Sequence, residues 1–230
     1  MKVALTRTPE DVEKDRKTFE RAGFEVVAIP LLEEVPMDFE VPELYFDFVV
    51  FQSARAVRHF LSRHRLRNEK VLVVGEKTRR EVESFGYEVW AMPEKYYGEE
   101  LLKLFKGLSG RVLVPRSAVG REELIEGLKS LGLEVYPLDI YAVRERTYEK
   151  EELLGKFEGV DAVVFASPSA IKGLLANLQK EETEALLKDK RVVCLGKTTK
   201  SFLEEHLRVK GLMPEKPTIE KVVELLSSMA

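Results

Sequence analysis

Three types of polar residue follow apolar runs, and each type occurs in two equivalent places in the chain. The pairs are Arg7 and Arg116, Ser53 and Ser167, and Thr78 and Thr199. Apolar runs of this type are typical of buried parallel strands. A polar residue between such a strand and a following helix is well placed to bind an anion, because the helix N-terminal amides point to the same place. The pattern therefore predicts binding of carboxylates or phosphates at strand ends.

The arginines and the serines each allow two interpretations. Arg7 and Arg116 could bind a carboxylate or a phosphate through their planar N–H groups, or they could bind nearby main-chain carbonyls. Ser53 and Ser167 could cap the helices that follow, and the proline after Ser167 suits a first helical turn. Capping and ligand contact can coexist, and Ser169 adds a further hydroxyl to the second position.

A glycine precedes each threonine in a short turn, Gly75 before Thr78 and Gly196 before Thr199. Glycine allows a sharp bend and lets a ligand approach the main-chain amides. The turns lack the further glycines of a P-loop or of a dinucleotide-binding fingerprint, so the sequence gives little support for nucleotide binding by those routes. An anion at the start of the next helix remains the expectation.

Residue spacing argues against nucleophilic and metal chemistry. No G-x-S-x-G motif surrounds either serine of the repeated pair. The one cysteine, Cys194, cannot form an internal disulfide, and its apolar neighbours favour a buried hydrophobic role over a reactive thiol. His59, His64 and His206 lack the spacing of metal ligands and are interpreted as solvated surface residues. We therefore expect no metal site.

One tyrosine, Tyr141, follows an apolar run in the second half of the chain and precedes a strongly charged stretch. Its phenol could donate a proton to a bound molecule. Packing into a core is the other interpretation, and the residues alone favour it.

The elements that position these residues alternate between short apolar runs and amphipathic stretches. This alternation predicts an α/β fold with parallel sheets and right-handed crossovers. Helices are expected at residues 9–22, 120–131 and 219–227. The candidate strands are "KVAL", "EVVAI", "DFVVF", "VLVVG", "EVWAM", "RVLVP", "LEVYPL", "DAVVFA" and "RVVCLG".

Three collinear matches show that the chain contains two copies of one α/β half. The offsets are 109, 114 and 121 residues, for "VALTR" with "VLVPR", "VVFQSARAVRHFL" with "VVFASPSAIKGLL", and "VLVVGEKT" with "VVCLGKTT". Ligands of open α/β sheets bind outside the carboxyl ends of the strands. We therefore expect equivalent strand ends from both copies to line one crevice.

Composition limits the classes of partner that the protein is expected to bind. The 230 residues fit one large domain or two small ones, and a formal net charge of -3 argues against a nucleic-acid or membrane partner. The N-terminus does not resemble a signal peptide and no apolar run is long enough to span a membrane, so a cytoplasmic protein is expected. Scarce Asn and Gln with abundant Lys and Glu favour a heat-adapted source.

The order and spacing of these motifs resemble the uroporphyrinogen-III synthase family over essentially the whole chain. The motifs that carry the resemblance are "LTRT", "FQSARAV", "VGEKT", "VLVPRS", "LDIYAV", "FASPSAI" and "LGKTT". The family often has Thr where this chain has Gln52 and Asn where it has Arg55. Small residues often follow its glycine-threonine turns, where this chain has Arg79 and Lys200.

The resemblance implies cyclisation of the linear tetrapyrrole hydroxymethylbilane to uroporphyrinogen III, with inversion of ring D and loss of water through a spiro-pyrrolenine. It implies no cofactor and no metal. Tyr141 would be the catalytic residue. The binding residues for this polycarboxylate substrate would be Arg7, Ser53, Gly75, Thr78, Arg116, Ser167, Ser169, Gly196 and Thr199.

The resemblance also implies two similar flavodoxin-like domains with an exchanged N-terminal unit. One would contain residues 1–38 and 142–230, and the other residues 39–141. The chain would cross twice through linkers, "EEVPMDFEVPE" and "YAVRERTYEK", in a protein expected to be a monomer. The alternatives are a non-enzymatic two-lobed protein that binds a small anion, and a two-domain glycosyltransferase, for which 230 residues is short.

Overall fold

The computed structural model describes residues 1–95, 98–120 and 122–230. The chain forms two compact units. The first contains Met1–Glu34 and Arg144–Ala230, and the second contains Val35–Val143. The chain therefore passes between the units twice, near residues 34 and 143.

Strands and helices alternate through most of the chain. In chain order they are β1 (Lys2–Leu5), α1 (Pro9–Arg21), β2 (Glu25–Ala28), β3 (Leu32–Pro36), β4 (Phe48–Phe51), α2 (Ala54–Leu61), β5 (Lys70–Val73), α3 (Glu76–Ser84), α4 (Gly98–Lys103), β6 (Arg111–Ser117), α5 (Glu123–Ser130), β7 (Glu134–Glu145), α6 (Lys150–Lys156), β8 (Ala162–Phe165), α7 (Pro168–Asn177), α8 (Lys180–Leu187), β9 (Arg191–Cys194), α9 (Lys197–His206) and α10 (Ile219–Ser227). Within the described ranges, no helix has both the length and the apolar character that a bilayer crossing requires.

Each unit is built around its own sheet. The first sheet has the order β2-β1-β8-β9, and all of its pairings are parallel. The second has the order β3-β7-β6-β4-β5, and the pairings from β7 to β5 are also parallel. The predicted α/β class with parallel sheets flanked by helices is confirmed.

The repeat in the sequence is visible in the strand order. Its offsets match β1 with β6, β2 with β7, β4 with β8, and β5 with β9. Under this matching β2-β1-β8-β9 reads as β7-β6-β4-β5, which is the order of the second sheet without β3. Two isolated bridges, Leu72 with Ala91 and Val193 with Leu212, repeat the 121-residue offset.

The core of the second unit shows why β4 lacks polar residues. In β4, Val49 and Phe51 belong to one buried cluster, and Phe48 and Val50 belong to another on the opposite face. A strand covered on both faces must be apolar at every position, as a parallel sheet with helices on both sides requires.

Two details of the predicted elements are wrong. "EVWAM" makes only the isolated bridge at Ala91 instead of a strand. Both stretches interpreted as linkers contain strand residues, since β3 ends at Pro36 and the 12-residue β7 continues to Glu145. Main-chain bonds from Met37 N to Ile140 O and from Arg146 N to Leu31 O follow antiparallel numbering, which satisfies backbone groups that a linker would leave to water. Pro36 is tolerated because β3 is an edge strand.

The packing of α7 against the chain before β3 can be tested with two glycine substitutions in the first unit. A Cβ at Gly173 would lie 2.5 Å from the Leu31 carbonyl oxygen, whereas one at Gly155 in α6 would meet nothing within 4 Å. Gly173→Ala should lower Tm by about 3–10 °C through overpacking. Gly155→Ala should raise Tm by about 1–4 °C, because alanine favours a helix. Circular dichroism melts measure both, and an unchanged Tm for Gly173→Ala would contradict this close approach.

Candidate functional site

Parallel pairing brings the predicted site residues to the carboxyl edge of each sheet. In the first unit Arg7, Ser167 and Gly196 follow the adjacent strands β1, β8 and β9. In the second unit Ser53 and Gly75 follow β4 and β5. Arg116 and Tyr141 lie near the ends of β6 and β7 at the same edge, where Ser117 is opposite Tyr141. Each unit thus collects one set of these residues.

The two serines occupy equivalent positions but bond differently. Ser53 is the N-cap of α2, and its Oγ accepts a hydrogen bond from Ala56 N at 3.1 Å. Ser167 is the N-cap of α7, yet its side chain makes no capping bond. The predicted capping bond is therefore present at Ser53 and absent at Ser167. Ser169, at the second position of α7, is exposed.

The glycine-threonine turns also differ between the copies. Gly75 has φ +89°, which favours glycine, whereas Gly196 has an extended φ of −144° that other residues adopt. The sharp bend expected at both glycines is therefore required only at Gly75. Thr78 and Thr199 are the third residues of α3 and α9, and only 4% and 3% of their surface is exposed.

Arg7 is bound by two carboxylates of α1. Its Nη1 lies 3.1 Å from Asp15 Oδ2, and its Nη2 lies 3.6 Å from Asp11 Oδ2. Burial raises the pKa of the Asp15 carboxyl, and the Arg7 guanidinium opposes this rise. Removing Arg7 from this pair would leave a buried carboxylate uncompensated, which is costly. The Arg7 side chain is 35% exposed, so its outer face still reaches solvent.

Arg116 is also engaged by two carboxylates. Its Nε donates to Asp139 Oδ1 on the neighbouring strand at 3.1 Å. Its Nη1 lies 2.9 Å from Glu122 Oε1, but that geometry does not make a hydrogen bond, and this nitrogen is buried without an acceptor in the described chain. Neither interpretation of the arginines anticipated carboxylates supplied by the protein itself.

Tyr141 follows a β-bulge. Arg116 pairs with Asp139 and Ser117 pairs with Tyr141, so Ile140 is the extra residue of β7. Bulges bend a strand and redirect the next side chain, and they are frequent beside active sites. The Tyr141 side chain belongs to the core cluster of the second unit and the residue is 6% exposed, so it is packed as one of the two interpretations required. Its hydroxyl makes no hydrogen bond within the described residues.

His59 is a neighbour of this site that the sequence analysis missed. Its imidazole stacks on the Tyr141 ring with a centroid distance of 4.7 Å and an angle of 10°. The expected solvated surface environment is wrong for His59 and His64, which are half-buried, and it holds for His206. Burial lowers the pKa of His64. The repeat offered one signal, because His59 matches Gly173 at the 114-residue offset, and a large ring at one position with glycine at the other marks a difference between the copies. In the structure no side chain fits at Gly173.

The described strand ends offer donors for an anion. Across the described residues, no group of three or more His, Cys, Asp or Glu side chains is arranged to hold a metal ion. Three surface cavities of about 500, 450 and 420 Å³ are each lined by residues other than the predicted ones.

Comparison with known sequences gives one consistent result. The family model described as Uroporphyrinogen-III synthase HemD matches residues 13–224. A candidate uroporphyrinogen-III synthase of Archaeoglobus fulgidus is 30% identical over 233 residues, which cover 99% of each chain. A protein of the same description from Methanocaldococcus jannaschii is 28% identical over 241 residues, covering 100% of this chain and 99% of its own.

Solved structures give the same fold. The uroporphyrinogen-III synthetase of Helicobacter pylori matches with a TM-score of 0.67 at 19% identity, covering 100% of this chain and 99% of that one. A mutant uroporphyrinogen III synthase of Thermus thermophilus matches with a TM-score of 0.55 at 19% identity, covering 100% and 97%. At these identities the likeness concerns the fold alone.

The single thiol provides a test of the buried position of Cys194 at the end of β9. Cys194 ends β9 with no exposed surface, and burial raises its pKa to about 12. At pH 8 only on the order of one thiol in ten thousand would be ionised, so the folded protein should not react with a disulfide reagent such as DTNB. The chain unfolded in guanidinium chloride should release one equivalent of chromophore. Rapid labelling of the folded protein would contradict the buried position.

Proposed function

The chain belongs to the uroporphyrinogen-III synthase family, and from that premise we propose how its residues cyclise hydroxymethylbilane to uroporphyrinogen III, with inversion of ring D and loss of water. The single observation that carries this function is the family match from residue 13 to residue 224, which includes parts of both units. A non-enzymatic anion-binding protein is not favoured, because the match is to an enzyme family.

The first step removes the hydroxyl of the substrate's hydroxymethyl group. The C–O bond breaks as the adjacent pyrrole supplies electron density, and the phenol of Tyr141 gives its proton to the leaving oxygen, so water departs and a phenolate remains. An electron-rich pyrrole expels this group readily, so one positioned donor is enough. General acid catalysis of this kind typically contributes about 10²–10⁴ in rate.

Inversion of ring D follows from where the new bond forms. The substituted carbon of ring D attacks the cationic carbon and gives the spiro-pyrrolenine. The older bond from this carbon to the bridge of ring C then breaks, and that bridge carbon bonds to the unsubstituted α-carbon of ring D, so the ring is turned over. The proton lost as the pyrrole regains its aromaticity returns to the Tyr141 phenolate, so no proton is gained or lost by the enzyme in a complete cycle.

Two features of Tyr141 support its assignment as the proton donor. Its hydroxyl has no acceptor among the described residues, so its proton is not committed to the protein. Its ring is held on one face by His59 and surrounded by core residues, which limits the orientations of the hydroxyl. A positioned acid at the carboxyl edge of the sheet fits the place where ligands of α/β sheets bind.

The substrate's eight carboxylates require many donors of moderate strength. We assign this role to the helix N-terminal amides that follow Ser53, Gly75, Ser167 and Gly196. The hydroxyls of the same first turns add to them, and they belong to Ser53, Thr78, Ser167, Ser169 and Thr199. Positive charge at the first positions of these helices comes from Arg55 in α2 and from the exposed Lys197 in α9.

Arg7 and Arg116 are assigned a smaller part in substrate binding. Each is already balanced by two carboxylates of the protein, so neither adds net positive charge at its edge. Arginine has five N–H donors. Among the described residues, no acceptor forms a hydrogen bond with Arg116 Nη1. A substrate carboxylate could supply that acceptor. The two arginines therefore orient carboxylates more than they attract them.

Selection of the type III isomer is a problem of geometry. Spontaneous ring closure joins the ends without inversion, so the enzyme must hold the chain in a conformation that favours the substituted carbon. Holding reacting groups in place can supply about 7–11 kcal/mol.

We further propose that the enzyme works as a cytoplasmic monomer without nucleic-acid or membrane partners. Light scattering after size-exclusion chromatography measures the oligomeric state.

An isomer assay tests the function and the role of the phenol together. Freshly prepared hydroxymethylbilane is incubated with each variant, and the type I and type III products are separated after oxidation. The parental enzyme should give type III, and Tyr141→Phe should lower kcat by about 10²–10⁴ because the proton donor is lost. Tyr136→Phe is the matched control, since it removes another phenol from β7, and it should retain the parental rate. Single substitutions of Ser53 or Thr78 should reduce turnover without abolishing it.

Two results would contradict these assignments separately. A parental protein that yields only the spontaneous type I ring would exclude the synthase activity. A Tyr141→Phe variant that forms type III at the parental rate would retain the activity and exclude the phenol as its acid.

A further inference from the structure

The bulge before Tyr141 is held by the main chain of Met37 and by the side chain of Arg63, two residues after α2. At Ile140 the register of β7 against β6 shifts, and the carbonyl of Ile140 bonds to neither of these strands. It accepts hydrogen bonds from Met37 N at 3.0 Å and from Arg63 Nη2 at 2.9 Å. Ile140, the extra residue that redirects Tyr141, is thus fixed by groups that belong to neither β6 nor β7.

Arg63 uses its guanidinium to connect three main-chain carbonyls. In addition to Ile140 O, its Nη1 donates to Met37 O at 2.6 Å and its Nε donates to His59 O at 2.9 Å. The guanidinium also lies 4.4 Å over the ring of Phe39. Its three hydrogen bonds and its contact with Phe39 fix β7 relative to the end of α2.

His59 and Arg63 hold the same two residues of β7. His59 lies one helical turn before Arg63 and stacks on the Tyr141 ring, while Arg63 binds the carbonyl of the preceding residue. One contact restrains the ring and the other restrains the backbone that carries it.

The second copy of the repeat has a similar clamp without the tyrosine. Asn177 matches Arg63 at the 114-residue offset, and its Nδ2 donates to Gly173 O and to Arg146 O, both at 2.8 Å. Its Oδ1 accepts from Tyr148 N at 2.7 Å. Gly173 matches His59, so both copies bond the carbonyl four residues earlier and the main chain of a crossing segment. Only the first copy places an aromatic residue over a catalytic side chain.

We propose that Arg63 and His59 are positioning residues for the phenol of Tyr141, acting through the Ile140 bulge and through ring stacking. The proposal rests on the proposed function, in which Tyr141 is the acid. Active-site side chains need support from surrounding residues to keep their productive geometry, and a displacement of 1 Å can cost about 100-fold in rate.

The first experiment compares matched clamps in the two units. Arg63→Met keeps an apolar stem beside Phe39 but loses three hydrogen bonds, and it should lower kcat for type III formation about 10- to 100-fold with KM within about twofold. Arg63→Lys, which retains a charged donor, should recover part of the loss. Asn177→Ala removes the equivalent clamp and should keep kcat within about twofold when all rates are measured well below each Tm. Equal losses of kcat for Arg63→Met and Asn177→Ala would overturn the proposal.

A double-mutant cycle separates this proposal from the proposed function. If Arg63 acts through the phenol, Arg63→Met should cause no further loss of kcat in the Tyr141→Phe background. Multiplicative losses would overturn the positioning role while leaving Tyr141 as the acid. A parental rate for Tyr141→Phe alone would instead overturn the proposed role of the phenol.

The contribution of His59 is tested by replacing its ring. His59→Phe preserves an aromatic face against Tyr141 and should keep kcat within about threefold. His59→Ala opens space beside the phenol and should lower kcat about 10-fold, again with little change in KM. If His59→Phe and His59→Ala were equally impaired, stacking would not be what His59 contributes.

Discussion

Parallel pairing of strands is the constraint on which the rest of this structure depends. It brings the residues that follow distant strands to one edge of a sheet, so that Arg7 and Ser167 follow adjacent strands although they are 160 positions apart in the sequence. Helices that start at this edge add amides with no partner inside the helix. Tyr141, the proposed acid, lies on the strand next to β6 and joins this set in the second unit. The chemistry therefore follows from the direction of the strands, before any individual side chain is considered.

Electrostatics at these edges favours many weak contacts over a few strong ones. Asp11 and Asp15 balance Arg7, and Glu122 and Asp139 balance Arg116. Strong fixed positive charge would bind a polyanionic substrate and its equally anionic product with similar strength, and such uniform binding does not accelerate a reaction. In the proposed mechanism, neutral amides and hydroxyls bind the carboxylates, and the geometry of ring D determines the energy difference between reactant and transition state.

Much of the fold was predictable from the sequence, because the repeat and the apolar runs identify equivalent strands and their parallel pairing. Proline and charge made the segment of β3 resemble a linker, since its pairing with β7 depends on residues more than 100 positions away. The same limit hid His59, whose contact with Tyr141 depends on a bulge that no local pattern indicates. Asp139 was hidden for a related reason, because it faces Arg116 only through strand register.

The way the first sheet is assembled has a consequence for how the protein is made. The first unit is formed by two separate segments, and the bond from Thr6 Oγ1 to Val164 O joins residues 158 positions apart. The second unit is formed by one continuous segment, Val35–Val143. At about 5–20 residues per second, a ribosome needs on the order of 10–30 s to deliver β8, the later of the two partners of β1. During that interval β1 and α1 have β2 beside them but lack β8 and α10, while the inserted unit can already fold. Chaperone binding during translation should therefore centre on the first 30 residues.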